Sequence, residues 1–165
     1  MKKYFFLLVF AFSLLVSCSS DETTTYYLIR HAEKDRTDKT NRNPNLNFEG
    51  EKRAQKWSEY FNNIDLDAVY STNYNRTIET ATPTAMSKKL EIIKYDPRNM
   101  YDSIFQQNTK GKTVLIVGHS NTTPAFVNKI IGEKLYDNID DSVNSNLFKV
   151  TVIGHTKSSE RINVD

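Results

Sequence analysis

The stretch Tyr26-Tyr27-Leu28-Ile29-Arg30-His31 has the length and β-branched character of a buried parallel strand, and it ends in a histidine. Val114-Leu115-Ile116-Val117-Gly118-His119 repeats that pattern. Both histidines therefore follow the carboxyl end of a predicted strand, where open α/β sheets place their ligand crevice. Because the chain has only three histidines, two at equivalent positions indicate a shared site.

The rest of the sequence alternates predicted strands and helices around these two runs. Strands are predicted at 25–30, 68–70, 91–94 and 113–117, followed by a hairpin of 146–153 and 159–164. Helices are predicted at 49–61, 76–89, 100–107 and 124–131. A polar loop is expected at 35–47, a kink or restart at Pro83, and Pro124 at the first position of the last helix. This alternation predicts an α/β fold of three layers, a mostly parallel sheet flanked by helices.

The first residues are predicted to be a targeting signal. A basic start, Met1-Lys2-Lys3, precedes an apolar run at 4–16, which is shorter than the about 20 residues that span a membrane. The run ends at Leu15-Val16-Ser17-Cys18, which resembles the lipobox of bacterial lipoproteins. We therefore expect residues 1–17 to be a signal peptide and Cys18 to carry lipid. The alternative is an ordinary secretory signal with a cysteine near its cleavage site by accident.

The predicted anchor places a single domain at a membrane surface. Residues 18–25 form the acylated cysteine and a short polar tether, and residues 26–165 form the domain. The expected location is the bacterial cell envelope, as a lipid-anchored periplasmic or outer-membrane protein. Removal of Lys2 and Lys3 cancels the formal net charge of +2, which argues against a nucleic-acid-binding surface.

Four basic residues at strand and helix ends could bind a phosphate group. His31 offers a ring nitrogen as nucleophile or base near neutral pH, and the guanidinium of Arg30 beside it matches phosphate oxygens. Arg76 lies near a predicted helix start, where backbone N–H groups and the helix dipole favour negative charge. His119 precedes the last predicted helix and would face the same anion. Each residue alone also fits a structural role, and His155 in the hairpin turn is expected to be an exposed loop residue.

The segments that hold these residues resemble the histidine phosphatase superfamily, which has the phosphoglycerate mutase-like fold. They are Arg30-His31-Ala32-Glu33-Lys34, Leu46-Asn47-Phe48-Glu49-Gly50, the block Ser71…Arg76-Thr77…Glu79-Thr80-Ala81, and Val117-Gly118-His119-Ser120-Asn121-Thr122. The resemblance implies that His31 attacks phosphorus and becomes phosphohistidine, while Arg30, Arg76 and His119 surround the transferring group. It implies no metal and no cofactor.

The proton donor stays open at the level of sequence. In the mutase-like branch of that family a glutamate just after the third strand serves, and the nearest match by position here is Asp96. In the acid-phosphatase branch an aspartate follows the second histidine, where this chain has Ser120. Glu33 is a further candidate. If the site has no acid, good leaving groups such as acyl or histidine phosphates would be favoured.

The expected function is metal-independent hydrolysis of a phosphomonoester or a phosphoprotein. One alternative is a catalytically weak envelope protein that binds phosphorylated ligands without turnover. A phosphomutase is less favoured, because mutases of the resembled family carry a substrate-covering insertion where this chain is short, between the third and fourth predicted strands. The expected partners are a phosphorylated small molecule or phosphoprotein and, through Cys18, a membrane.

Overall fold

Residues 22–165, which a computed structural model of the protein describes, form a six-stranded sheet with helices on both faces. The elements in chain order are β1 Thr23–Arg30, α1 Phe48–Tyr60, β2 Ala68–Ser71, α2 Asn75–Lys88, β3 Ile92–Lys94, α3 Ser103–Thr109, β4 Thr113–Gly118, α4 Thr122–Ile131, β5 Asn146–Ile153 and β6 Thr156–Asn163. The strand order is β3-β2-β4-β1-β5-β6. The neighbouring strands β3, β2, β4 and β1 run parallel, and β5 and β6 extend the sheet as an antiparallel hairpin.

The two apolar runs lie side by side in the middle of the sheet. β1 pairs with β4 in a register that places Thr25 opposite Thr113 and Arg30 opposite Gly118. Both strands are almost wholly buried, as their continuous apolar sequence predicts. Because the last residues of the two strands are paired, the residues that follow them, His31 and His119, lie at the same edge of the sheet.

Each face of the sheet packs on its own pair of helices. On one face the apolar core includes Phe105 of α3 and Phe126 of α4. On the other face it includes Trp57 of α1 and Ala81 of α2. The predicted three-layer α/β architecture is thereby confirmed, and the loops at the carboxyl edge of the parallel strands are left to form a site.

The structure settles one of the two alternatives at Pro83 and corrects the start of the last helix. α2 continues through Pro83 without a restart, because its buried face, which includes Thr80, Ala81 and Ala85, holds it against the sheet and outweighs the lost backbone hydrogen bond. α4 begins at Thr122, so Pro124 is its third residue rather than its first. Proline is tolerated there because the first-turn N–H groups have no partner within the helix.

The predicted signal peptide and the lipid-bearing Cys18 lie outside the described residues. Among the helices of residues 22–165, none is long and apolar enough to cross a membrane.

Gly50 of α1 lies against the backbone just beyond His31. A Cβ at this position would overlap the carbonyl oxygen of Glu33, and that oxygen accepts a hydrogen bond from the backbone N–H of Asn47 at 2.9 Å. The side-chain oxygen of Asn47 in turn caps α1 by accepting from the N–H of Gly50 at 2.9 Å. This close approach explains why the Leu46-to-Gly50 segment ends in glycine.

We expect Gly50→Ala to destabilise the fold by about 1–3 kcal/mol, because the added methyl group forces the segment after His31 away from α1. Urea denaturation measures the change, with exposed Gln55→Ala on the same helix as the control. Unchanged midpoints for both variants would contradict the proposed contact.

Candidate active site

The pairing of β1 with β4 brings His31 and His119 together at the carboxyl edge of the sheet. The backbone N–H of His31 donates to the carbonyl of Gly118 at 2.9 Å. The imidazole centroids are 5.5 Å apart, with the ring planes 67° from parallel. The shared crevice inferred from the two strand ends is therefore present in the structure.

His31 is neutral and presents one free ring nitrogen. Its Nδ1 lies 2.7 Å from the carbonyl oxygen of Ala32, which can only accept, so Nδ1 carries the hydrogen and Nε2 keeps its lone pair. The side-chain amide of Asn144 donates to the carbonyl of His31 at 2.8 Å and fixes the backbone. Burial lowers the pKa of His31 to about 3, and the charge of Arg30 acts in the same direction. An uncharged nitrogen with a free lone pair is what a nucleophile requires.

Arg30 is a buried guanidinium, 2% exposed, that is held by a loop from the other end of the chain. Its Nη1 donates to the carbonyls of Asp140 and Val143 at 2.8 and 2.9 Å. Its Nη2 donates to the carboxylate of Asp141 at 2.5 Å. The remaining nitrogen, Nε, is buried and has no hydrogen-bond partner within residues 22–165.

Arg76 contributes a second set of unsatisfied donors from the first turn of α2. Its Nε and Nη1 atoms are buried without a partner in the described part of the chain, and Nη2 lies 3.4 Å from Nδ1 of His119. The Tyr74 ring supports the guanidinium, with its centroid 4.5 Å from the central carbon of Arg76. Burial is the main cause of the lowered pKa of Arg76.

His119 is oriented by a chain of hydroxyl groups. Its Nε2 lies 2.9 Å from Oγ1 of Thr72, and Thr72 donates its own hydrogen to Oγ1 of Thr77 at 3.0 Å. The Thr72 oxygen therefore accepts from His119, which leaves Nδ1 as the acceptor beside Arg76. Burial and the positive charges of Arg76, Arg30 and Lys34 lower the pKa of His119 to about 4. A bound anion would reverse part of that shift and let His119 donate to it.

The unpaired guanidinium nitrogens of Arg30 and Arg76 favour the binding of an anion. Three buried guanidinium nitrogens, one from Arg30 and two from Arg76, lack an acceptor among residues 22–165. Leaving such charged donors unpaired costs more than leaving neutral ones unpaired. A tetrahedral dianion such as phosphate supplies several acceptor oxygens at once, and the free Nε2 of His31 lies in the same crevice.

The two candidate proton donors lie in different places. Glu33 lines the same cavity as His31, a space of about 600 Å³, but both its carboxylate oxygens accept from Nε of Arg53, at 2.8 and 3.0 Å. Asp96 lines a separate surface cavity, and its carboxylate accepts from the guanidinium of Arg98 at 2.7 Å. The structure therefore brings Glu33, and not Asp96, to the cavity of His31.

Several residues of the site were not identified from the sequence. Asp141, 64% exposed, bridges Arg30 and Arg36, and Asn144 holds His31. Both belong to the loop between α4 and β5, far along the chain and without a recognisable motif. Tyr74 lies edge-on to His119, with ring centroids 5.0 Å apart. Lys34 lines the cavity beside His31.

Metal binding has no visible basis in the part of the chain that the structure describes. No group of three or more histidine, cysteine, aspartate or glutamate side chains comes together there to hold an ion.

Comparisons with known proteins give one family match and several structures of similar fold. Residues 26–98 match the family model Histidine phosphatase superfamily (branch 1). Similar solved structures include phosphoglycerate mutase from Bacillus anthracis str. Sterne, with 14% identity and a TM-score of 0.66 over 87% of this chain and 94% of that one. A candidate phosphohistidine phosphatase SixA from Agrobacterium tumefaciens has 20% identity and a TM-score of 0.62 over 84% of this chain and 97% of that one.

A mycobacterial glucosyl-3-phosphoglycerate phosphatase is similar over 87% of this chain and all (100%) of that one, with 10% identity and a TM-score of 0.65. At these identities the likeness shows the fold alone, and it confirms the phosphoglycerate mutase-like α/β architecture. Among curated protein sequences, none matches this chain significantly.

The buried histidines should make the stability of the protein depend on pH. Both folded pKa values, about 3 for His31 and about 4 for His119, lie below the ordinary histidine pKa of about 6.5, so the unfolded chain binds protons more readily. Their contribution is fully present above about pH 6.5 and is lost as the pH falls towards 4 and then 3. We expect each histidine to reduce the free energy of unfolding by about 1.5 kcal/mol between pH 6.5 and pH 5.

Urea denaturation at a series of pH values measures this dependence. His119→Gln should flatten the profile, whereas His155→Gln in the exposed hairpin turn should leave it unchanged. Equal slopes in the wild type and in His119→Gln would contradict the neutral, buried state of His119.

Proposed function

We propose that this chain is a histidine phosphatase that hydrolyses a phosphomonoester or phosphoprotein through a phosphohistidine at His31, without a metal. One observation carries the proposal: three buried guanidinium nitrogens of Arg30 and Arg76 have no acceptor among residues 22–165, and Arg76 lies beside His119, whose ring is 5.5 Å from that of the neutral His31. The match of residues 26–98 to the histidine phosphatase family model supports it.

The first step transfers the phosphoryl group to the protein. The lone pair on Nε2 of His31 attacks phosphorus, and the bond from phosphorus to the leaving oxygen breaks. Charge spreads over the three equatorial oxygens in such a transfer, and the unpaired N–H groups of Arg30 and Arg76 are placed to neutralise it. The hydrogen on Nδ1 stays with the carbonyl of Ala32, which stabilises the positive charge that the ring gains.

The second step releases phosphate. Water attacks the phosphorus of the phosphohistidine, the phosphorus–nitrogen bond breaks, and Nε2 recovers its lone pair. Splitting the reaction at a covalent intermediate divides one difficult displacement into two easier ones. The loop that fixes Arg30 and the carbonyl of His31 keeps the nucleophile and the charge-neutralising group in one rigid arrangement.

A phosphate-binding protein without turnover is the second candidate. It is favoured by the state of the carboxylates, since Glu33 is paired with Arg53 and Asp141 with two arginines. Neither is poised to give a proton to a leaving group. Phosphomutase activity is not favoured, because the connection between β3 and β4 contains only the short helix α3.

We further propose that the protein acts at a bacterial cell envelope, anchored by lipid on Cys18. The support is the basic start, the short apolar run and the lipobox-like Leu15-Val16-Ser17-Cys18. Metabolic labelling with a fatty-acid analogue tests this, with Cys18→Ser as the unlabelled control.

Incubation with a radiolabelled aryl phosphate should leave an acid-labile, alkali-stable label on the wild-type protein, and His31→Ala should take up none. His155→Ala, altered in the exposed turn, should be labelled like the wild type. Denaturation curves establish that His31→Ala is folded. If the folded wild type takes no label and releases no phosphate, the binding protein is the correct alternative.

A further inference from the structure

Hydrolysis of an alkyl phosphate needs a proton for the leaving oxygen, and the carboxylates near His31 are poorly suited to supply it. Glu33 accepts two hydrogen bonds from Arg53. Asp141 accepts from Arg30 at 2.5 Å and from Arg36 at 2.6 Å. A carboxylate between two guanidinium groups stays ionised at neutral pH, since opposite charges favour its charged form.

Lys34 is a different kind of proton carrier in the same cavity. It lines that cavity together with His31 and is partly buried. Its backbone is fixed by a β-bridge to Leu46 and by the N–H of Asp35, which donates to the carbonyl of Asn45 at 2.8 Å. Within residues 22–165, its ammonium group forms no ion pair with a carboxylate.

The charges around Lys34 favour release of its proton. Burial lowers the pKa of Lys34, as do the positive charges of Arg36, Arg76 and Arg30, and only the carboxylate of Asp141 opposes them. Lys34 in turn acts on the pKa of His119. The ammonium of Lys34 is therefore close enough to interact electrostatically with Arg30, Arg76 and His119.

We propose that Lys34 is the general acid and base of the reaction. When Nε2 of His31 attacks phosphorus and the bond to the leaving oxygen breaks, that oxygen takes a proton from Nζ of Lys34 and departs as an alcohol. The neutral amine then accepts a proton from the attacking water as the phosphorus–nitrogen bond breaks. Phosphate leaves, and both His31 and Lys34 return to their starting states.

This role rests on the proposed phosphatase function, and substitutions at Lys34 separate charge from proton transfer. Arginine keeps the positive charge but does not release a proton at neutral pH, and methionine removes both properties. The variants Lys34→Arg and Lys34→Met are compared with Lys39→Arg and Lys39→Met, which alter an exposed residue of the same polar loop. The measurements are kcat/KM for p-nitrophenyl phosphate and for ethyl phosphate, and the inhibition constant of inorganic phosphate.

Lys34→Arg should lose about 100-fold or more on ethyl phosphate, whose leaving group needs a proton, because general acid catalysis contributes about 10²–10⁴-fold. The same variant should stay within about threefold of the wild type on p-nitrophenyl phosphate, whose leaving group departs without one, and on inhibition by phosphate. Lys34→Met should show the same selective loss on ethyl phosphate, and the Lys39 variants should match the wild type.

The other outcomes overturn the role of Lys34. Equal losses of kcat/KM on both substrates in the Lys34 variants would show that Lys34 binds substrate. Full activity of Lys34→Arg on ethyl phosphate would show that Lys34 supplies only positive charge. Selective loss on ethyl phosphate in Asp96→Asn or Glu33→Gln instead would assign the proton to that carboxylate. Wild-type protein that cleaves only the aryl phosphate has no general acid, whereas wild-type protein that cleaves neither lacks the proposed phosphatase function.

Discussion

The site depends on the parallel pairing of β1 with β4. The register that places Arg30 opposite Gly118 sets both histidines at one edge of the sheet, with their ring centroids 5.5 Å apart. A shift of β1 by one residue would turn Arg30 to the other face of the sheet and separate it from the loop that holds it. The apolar side chains that secure this register are therefore as important to the chemistry as the charged ones.

The second constraint is electrostatic. Buried Arg30 and half-buried Arg76 place positive charge around an uncharged histidine, and of the two only Arg30 has a carboxylate partner, Asp141, among residues 22–165. Burying unpaired charge weakens a fold, and here that cost is concentrated where a phosphate dianion would remove it. Burial, assisted by the same charges, keeps His31 unprotonated. The unpaired charges that would bind phosphate therefore destabilise the protein when no ligand is bound. The apolar core around β1 and β4 offsets this loss of stability.

The sequence predicted the features that depend on local pattern. The continuous apolar runs indicated buried parallel strands, and Arg30, His31, Arg76 and His119 lie at the predicted ends of strands and helices. Asp96, the candidate proton donor after the third strand, lies apart from the cavity of His31. Side chains alternate along an extended segment, and after β3 it is the hydroxyl of Tyr95 that points towards Gly118, 3.1 Å from where a Cβ there would lie. The contacts of the α4–β5 loop depend on tertiary structure alone. The sequence pattern therefore could not identify the residues that bind Arg30 and His31.

The central claim is that the unpaired donors and the free nitrogen of His31 surround one phosphoryl group. A crystal structure with vanadate, which adopts the geometry of phosphorus during transfer, tests it most directly. The expected result is vanadium bonded to Nε2 of His31, with its equatorial oxygens accepting from Nε of Arg30, from Nε and Nη1 of Arg76, and from His119. Vanadate bound elsewhere, or in the crevice but without a bond to His31 and with those guanidinium nitrogens still unpaired, would contradict the claim.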